Sequence, residues 1–331
     1  MTAPPLVSVL LPVYNGAADV EQAIESILKQ TFADYELIII NDGSKDDSAQ
    51  VLERLPDPRI RLFHQDNAGL AATLNRGISL ARGRYIARQD QDDLSHPERL
   101  ERQAAFMEAN PDYGLLGTWA QIWIGNQPTD RAHDHPADHA ALSFELLFNN
   151  PFVHSSVMLR KTAVEAVGGY TTDPARQPPE DYELWSRMAR YARAANLPER
   201  LLVYREVPSS MSRTGPNPFQ ERLVLLCAEN IAAVLGQPAP SRDVLDVAAL
   251  THSAHHRLSP QPNIERMCAV VLAAGDRIAA SASGSDVLRR VDARIQSLRH
   301  QYLIQKHKAD WARPIARAIR KVARQIGIWP R

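Results

Sequence analysis

Apolar and polar positions alternate in blocks over the first 93 residues. Residues 7–13 form a continuous apolar run, the pattern of a strand buried on both faces. In 19–30, Val20, Ala23, Ile24, Ile27 and Leu28 recur at helical spacing. The same alternation predicts strands at 36–40, 60–63 and 84–87. It predicts helices at 48–55 and 70–81, the latter stopped by Arg82-Gly83. Strand, helix, strand at this spacing means a parallel sheet with right-handed crossovers, an α/β fold. In such sheets ligands sit at the carboxyl ends of the strands.

Further along, the pattern predicts a helix from Pro97 to about Asn110 and a strand-like segment at 114–124. A helix near 142–148, a strand at 155–159, a helix starting at Glu180 and a strand at 201–205 follow. Residues 208–218 read as a polar loop, and the pattern beyond is helical. This places a domain boundary near 218, giving a domain over 1–218 and a helical C-terminal region over 219–331.

Four polar clusters fall at the predicted strand ends. They are Tyr14-Asn15-Gly16, Asn41-Asp42-Gly43-Ser44, Gln65-Asp66-Asn67-Ala68-Gly69 and Asp90-Gln91-Asp92-Asp93. A nucleotide-binding edge accounts for all four. The last is the most informative. On an extended backbone Asp90 and Asp92 point the same way, and Asp93 points opposite. Like charges held together need a partner. A hard divalent cation sharing substrate phosphates is one, and an acidic first turn for the next helix is the other. Asp42 before a turn glycine can accept from a base N–H or a ribose hydroxyl. Asn67 and Gly69 open a helix N-terminus that favours phosphate.

Composition narrows the classes. The chain has 331 residues, formal net charge zero, 44% hydrophobic and 23% charged residues. These are globular values, without the basic excess that nucleic acid selects. Cys227 and Cys268 sit in apolar segments and read as reduced, buried thiols. No signal peptide and no run of about 18 apolar residues is visible. The expectation is a cytoplasmic protein, with contact at the inner face of the membrane as an added possibility.

The ordered motifs Val-Ser-Val-Leu-Leu-Pro-Val-Tyr-Asn-Gly (7–16), Asn-Asp-Gly-Ser (41–44), Asn-x-Gly (67–69) with Asn75, Asp-x-Asp-Asp (90–93) and Glu-Asp-Tyr-Glu-Leu-Trp (180–185) resemble the family 2 glycosyltransferases of GT-A fold. The resemblance covers roughly residues 6–213. It implies a Rossmann-like, mostly parallel sheet with a nucleotide-sugar half at about 1–97 and an acceptor half at about 98–218. It also implies an inverting hexosyltransferase that moves a sugar from a nucleotide diphosphate, UDP-linked, to an acceptor hydroxyl, with Mn²⁺ or Mg²⁺ as cofactor. The acceptor is a glycan or a lipid-linked glycan in bacterial surface polysaccharide assembly.

By this resemblance Pro12, Tyr14 and Asn15 border the nucleotide base, with Asp42, Asn67, Gly69, Asn75 and Gln91 completing the donor site; Asn75, inside the helix at 70–81, is otherwise a structural hydrogen bonder. Asp90 lies nearest the sugar and nucleotide, and Asp92 is the principal metal ligand with Asp90 beside it. Asp93 either assists or holds the backbone. The acceptor hydroxyl must lose a proton, so a carboxylate is needed opposite the diphosphate. The resemblance assigns Asp181, with Glu180 as the fallback. His154 lines a donor or acceptor pocket or is a structural histidine. Arg205 and Arg213 flank the polar loop and can reach the diphosphate. His133, His135 and His139 suggest zinc, but with no cysteine nearby a solvated loop is the better reading.

Processive synthases of this family carry a further Gln-x-x-Arg-Trp-type motif and membrane spans, which this sequence lacks. Transfer of one or a few sugars is therefore expected. The segment 299–331 has nine Lys/Arg against one acid, Asp310. From Pro314, residues Ile315, Ile319, Val322 and Ile326 fall on one helical face and Arg313, Arg317, Arg320 and Arg324 on the other, with Trp311 and Trp329 extending the apolar side. Such a tail at about 311–331 suits an anionic bilayer surface, or packs on protein. The competing readings are a sugar-nucleotide nucleotidyltransferase, which needs a basic glycine-rich loop that 12–16 does not provide, and a non-catalytic sugar-nucleotide binding module.

Overall fold

The computed structural model describes residues 3–206, 219–280 and 286–325, with side chains described as far as Lys306. The chain divides into two compact units, Met1–Arg222 and Leu223–Arg331.

The first unit opens with β1 (Val7–Val13), α1 (Val20–Leu28), β2 (Tyr35–Asp42), α2 (Ser48–Glu53), β3 (Ile60–Gln65), α3 (Leu70–Leu80) and β4 (Tyr85–Arg88). These match the periodicity closely, because β1 and β2 are buried on both faces and α1 and α3 each carry one apolar stripe, while β3 is a half-buried edge strand. Val7, Val9, Leu11 and Val13 of β1 pack with Val20, Ala23, Ile24 and Ile27 of α1 in one buried cluster. The first four strands are parallel in the order β3-β2-β1-β4.

Beyond β4 the sheet becomes mixed. The elements are β5 (Leu94–Ser95), α4 (Arg99–Ala109), β6 (Tyr113–Ile124), β7 (Gln127–His133), α5 (His139–Glu145), β8 (Met158–Arg160), α6 (Lys161–Ala166), α7 (Glu180–Tyr191) and β9 (Arg193–Glu206). The full order is β3-β2-β1-β4-β8-β6-β9-β5, with β7 on β6. β8 is antiparallel to both β4 and β6, whereas β6 and β9 are parallel.

Several elements differ from expectation. The strand expected at 155–159 begins as a 3₁₀ turn, His154–Ser156, turns extended at Val157 and joins the sheet at Met158. The strand expected at 201–205 is the end of the 14-residue β9. Its first half reads as polar because Glu199 and Arg200 interrupt the alternation where the register to β6 shifts. The histidine segment is half-buried rather than a solvated loop. His133 ends β7, and His139 opens α5, which Asp138 caps by accepting from the Ala141 N–H at 3.0 Å.

The second unit contains α8 (Gln220–Val234, which begins in the first), α9 (Arg242–Thr251), α10 (Ile264–Ala279) and α11 (Val287–Gln325). α9, α10 and α11 pack on one another through Val244, Val247, Val271, Ile278, Val291 and Leu298. No helix among the described residues is long and apolar enough to cross a membrane. The side chains of the basic tail at 311–331 lie outside the described residues.

Candidate functional site

Strand register builds the edge on which the site stands. Val13 pairs with Asn41, Asp42 with Gln65, and Leu10 with Arg88. The carboxyl ends of β1 to β4 therefore lie side by side, and the four polar clusters emerge together.

The first three clusters are tied to one another by backbone-directed side chains. Asp42 is 4% exposed. Its carboxylate accepts from the Ala68 N–H (2.8 Å), the Gly69 N–H (3.0 Å) and Gln65 Nε2 (2.6 Å). Asp42 thus shapes the 65–69 loop, which leaves Asn67 exposed and Gly69 at φ 83 at the start of α3. Gly43 sits at φ +73, and a Cβ there would meet the Asn67 nitrogen at 2.7 Å, so the two loops can touch only through glycine. Asn15, also at positive φ, accepts from the Lys45 N–H at 2.8 Å and donates its own N–H to Ser44 Oγ at 3.0 Å.

Gln91 reaches back from the acidic run to β1. Its Oε1 accepts from the Tyr14 N–H (2.9 Å) and its Nε2 donates to the Tyr14 carbonyl (3.2 Å). A side chain at Gly16 would collide with that carboxamide. Both polar ends of Gln91 are thereby engaged by backbone, while the Tyr14 ring is 46% exposed at the edge beside the half-buried Pro12.

Asn75 departs from the donor role expected of it. Its amide donates to the Tyr170 carbonyl and accepts from the Tyr170 N–H, both at 2.8 Å. Both ends are committed to a clamp between α3 and the segment after α6.

The acidic run is held from beneath by residues that composition did not single out. Arg88, 2% exposed, donates to Asp90 Oδ1 at 2.5 Å and to the Gln89 carbonyl. Gln89 closes the turn, donating to the Asp93 carbonyl (2.8 Å) and accepting from Ser95 Oγ (2.7 Å). The Asp90 N–H donates to Ser155 Oγ at 2.8 Å. Buried Arg99 donates to the carbonyls of Arg88 (2.9 Å) and Ser155 (2.8 Å), and burial pulls its pKa down to about 9. The one signal for this scaffold is a charged residue, Arg88, continuing a buried apolar strand.

The three aspartates differ in surroundings. Asp93 is buried and accepts the Arg205 N–H at 2.8 Å; burial raises its pKa well above the usual carboxylate range. It holds the backbone. Asp92 is partly accessible, and burial, then the charge of Asp90, push it up to about 6. Arg205 does not reach outward as expected. It is buried, its guanidinium directed to Gln22, Asn126, Asp19 and the Asp92 carbonyl. Arg213 lies outside the described residues.

The second acidic pair opens α7. Glu180 is buried, and burial followed by the neighbouring Asp181 raises it to about 7. Asp181 is also raised by burial and by Asp90, opposed by hydrogen bonds from the Tyr182 N–H and Asn150. Asp90 also raises Glu180. Asp90 therefore lies within electrostatic reach of both carboxyls at the α7 start. His154 shares a 2.8 Å hydrogen bond with the Tyr170 hydroxyl and meets the ring of Trp185 in α7 edge-on, its centroid 5.7 Å away. Burial drives the His154 pKa well down, so its ring is neutral at physiological pH.

Among the described residues, no group of three or more His, Cys, Asp or Glu side chains forms a metal-holding cluster. His133 and His135 stack at 5.6 Å instead of converging on a point. The donor set open to a cation is the carboxylate pair Asp90 and Asp92. It fits a hard divalent ion, because their shared surplus of negative charge is what such an ion offsets, with phosphate oxygens and waters completing its coordination.

Residues 8–168 match the family model described as Glycosyl transferase family 2. The O-antigen biosynthesis glycosyltransferase WbnJ of Escherichia coli is 32% identical over 208 residues, 60% of this chain and 79% of that one. Among solved structures, Staphylococcus aureus TarS 1-349 in complex with UDP-GlcNAc superposes with a TM-score of 0.60 at 16% identity, over 91% of this chain and 92% of that one. The mannosyltransferase PcManGT of Pyrobaculum calidifontis, in complex with GDP-Man and Mn²⁺, gives a TM-score of 0.52 at 17% identity, over 92% and 89%. The chain is a glycosyltransferase of GT-A fold and belongs to glycosyltransferase family 2.

Proposed function

We propose that this enzyme transfers a sugar from a UDP-sugar to an acceptor hydroxyl, with inversion, in the assembly of a bacterial surface polysaccharide. The observation that carries this reading is the approach of two acidic elements from opposite parts of the first unit. Asp90 at the end of β4 raises the proton affinity of both Glu180 and Asp181 at the start of α7. One element suits the leaving diphosphate and the other the incoming hydroxyl. Two similar proteins support the donor class and the process: WbnJ by its role in O-antigen biosynthesis and TarS by its complex with UDP-GlcNAc.

In the proposed reaction the acceptor oxygen gives its proton to Asp181 as its lone pair bonds the anomeric carbon. The carbon–oxygen bond to the diphosphate breaks, and the electron pair leaves with the nucleotide. Burial raises Asp181 toward the range in which a carboxylate is an effective base. Glu180 is the fallback for this role. Asp92, with Asp90 beside it, would hold Mn²⁺ or Mg²⁺, which supplies Lewis-acid stabilisation of the leaving diphosphate. The edge residues Pro12, Tyr14, Asn15, Asp42, Asn67 and Gly69 shape the nucleotide subsite, Asp42 by holding the 65–69 loop and Asn15 by bracing the 44–45 turn. On this reading the donor half spans about 1–97, the acceptor half about 98–218, and His154 lines the donor or acceptor pocket. The basic tail at 311–331 would bring the enzyme to an anionic surface carrying a lipid-linked acceptor.

Calorimetric titration with UDP and Mn²⁺ tests the donor assignment. Asp92→Asn should lose the Mn²⁺-dependent part of UDP affinity. Retention of that part removes Asp92 from the metal site.

A further inference from the structure

One residue beside the proposed base has no role yet. Asn150 lies in the loop between α5 and the 3₁₀ turn at His154–Ser156. Its Nδ2 donates to Asp181 Oδ2 at 2.7 Å. Its Oδ1 accepts from the Phe152 N–H at 3.1 Å. That second bond fixes which end of the amide faces the carboxylate, since a flip would set oxygen against oxygen and remove the acceptor from Phe152. The loop is itself anchored: the Pro151 carbonyl accepts from Asn196 Nδ2 of β9 at 3.1 Å, and the same amide donates to the Pro136 carbonyl at 2.9 Å.

On the other side of the carboxyl group, Asp181 Oδ1 accepts from the Tyr182 N–H at 2.7 Å. Each oxygen thus has one donor from another described residue, with the Asp181 backbone N–H also favouring the charged form. Oδ1 is held by the helix that carries Asp181. Oδ2 is held by a side chain from a separate loop, so the rotation of the carboxyl plane depends on Asn150.

We infer that Asn150 is a positioning residue for the base: it fixes the carboxylate plane of Asp181 and, as a neutral donor, favours its ionised form over its protonated one. This rests on Asp181 being the base. Burial and the charge of Asp90 at the end of β4 act against ionisation of Asp181. Asp181 in turn raises Glu180 on the same helix and the buried Tyr170 after α6, and Arg88 opposes both of those shifts. Asn150 is the one neutral side-chain donor that the described residues place on this carboxylate. It sets how much of the base is ionised at a given pH.

The test uses the full chain with Mn²⁺ and follows nucleotide release with water as acceptor. UDP-GlcNAc, UDP-glucose, UDP-galactose and GDP-mannose are offered, and the fastest is kept. Asn150→Asp is the informative variant. It preserves shape and the acceptor for Phe152 but replaces the donor with a like charge. Loss of the donor raises the pKa of Asp181, so the acid limb of the kcat profile should move to higher pH by about one unit, with kcat at a fixed pH on that limb falling roughly tenfold. The donor KM should stay within about twofold. Asn150→Ala should shift the limb in the same direction by less. An unmoved limb in both variants, or a KM rise that accounts for the whole loss, marks a merely structural asparagine and overturns the inference. Asp181→Asn run in parallel separates the two levels: release that survives in it refutes the base assignment, whatever Asn150 does.

Discussion

Arg205 donates its backbone N–H to Oδ1 of Asp93 at 2.8 Å across 112 positions of sequence. The bond ties the end of β9 to the turn that presents Asp92. The Arg205 guanidinium continues inward, bonding Gln22 Oε1 at 3.0 Å and Asn126 Oδ1 at 2.8 Å. The acidic run is therefore positioned by a strand from the far half of the unit. Replacing Arg205 by Met leaves those amide oxygens and the Asp92 carbonyl without their donor. A loss of about 2–4 kcal/mol in urea unfolding of the chain is expected. An unchanged urea midpoint would show that the guanidinium carries no structural weight.

Gly16 makes a second packing prediction. Any Cβ there collides with the Gln91 carboxamide that brackets Tyr14. Gly16→Ala should weaken UDP binding by about tenfold by displacing Gln91 and the Tyr14 backbone, a cost near 1.4 kcal/mol. Adding Gln91→Ser removes the obstacle and should recover part of the affinity. A double variant no better than Gly16→Ala would place the damage elsewhere.

Glu180 gives a signed pH dependence. Its folded pKa is raised from 4.5 to about 7 by burial and by Asp181. Between those values the folded chain holds a proton that the unfolded chain has released, so this group's contribution to stability falls as pH rises through that window. Glu180→Gln stays uncharged throughout. The melting temperature of Glu180→Gln relative to wild type should therefore increase from pH 5 to pH 7.5. A constant difference would contradict the burial of this carboxyl.

The tail prediction concerns membranes. Removing 311–331 takes away Trp311, Trp329 and six of the nine basic residues of 299–331. Co-sedimentation with vesicles containing phosphatidylglycerol should fall by an order of magnitude or more at about 0.1 M salt. Equal sedimentation of the full and shortened chains would remove the membrane role.

The donor edge was legible because parallel strands and their helices leave strong local signals. Val9–Val13 and Leu37–Ile40 are apolar without a break, and the polar residues that follow them stand out. Asp42, Gln91 and Asn75 were found by pattern, yet each side chain bonds backbone: that of loop 68–69, of Tyr14 and of Tyr170. Sequence order marks a residue as belonging to the edge; it does not say whether its polar atoms face ligand or chain. The buried scaffold of Arg88, Gln89, Arg99 and Ser155 was illegible for a different reason. These residues act through contacts across up to 65 positions, and a polar residue in a short segment looks like surface until its neighbours are known. The same holds for Asn150, whose partner is 31 residues away.

The central claim is that Asp181 takes the acceptor proton while the strand-end aspartates serve the donor. Its most direct measurement pairs two readings on one variant, Asp181→Asn. Mn²⁺-dependent UDP affinity, followed by calorimetry, should stay within about threefold of wild type, while nucleotide release from the preferred donor falls by about 10² or more. Loss of UDP binding in that variant, or release that continues at the wild-type rate, would contradict the account.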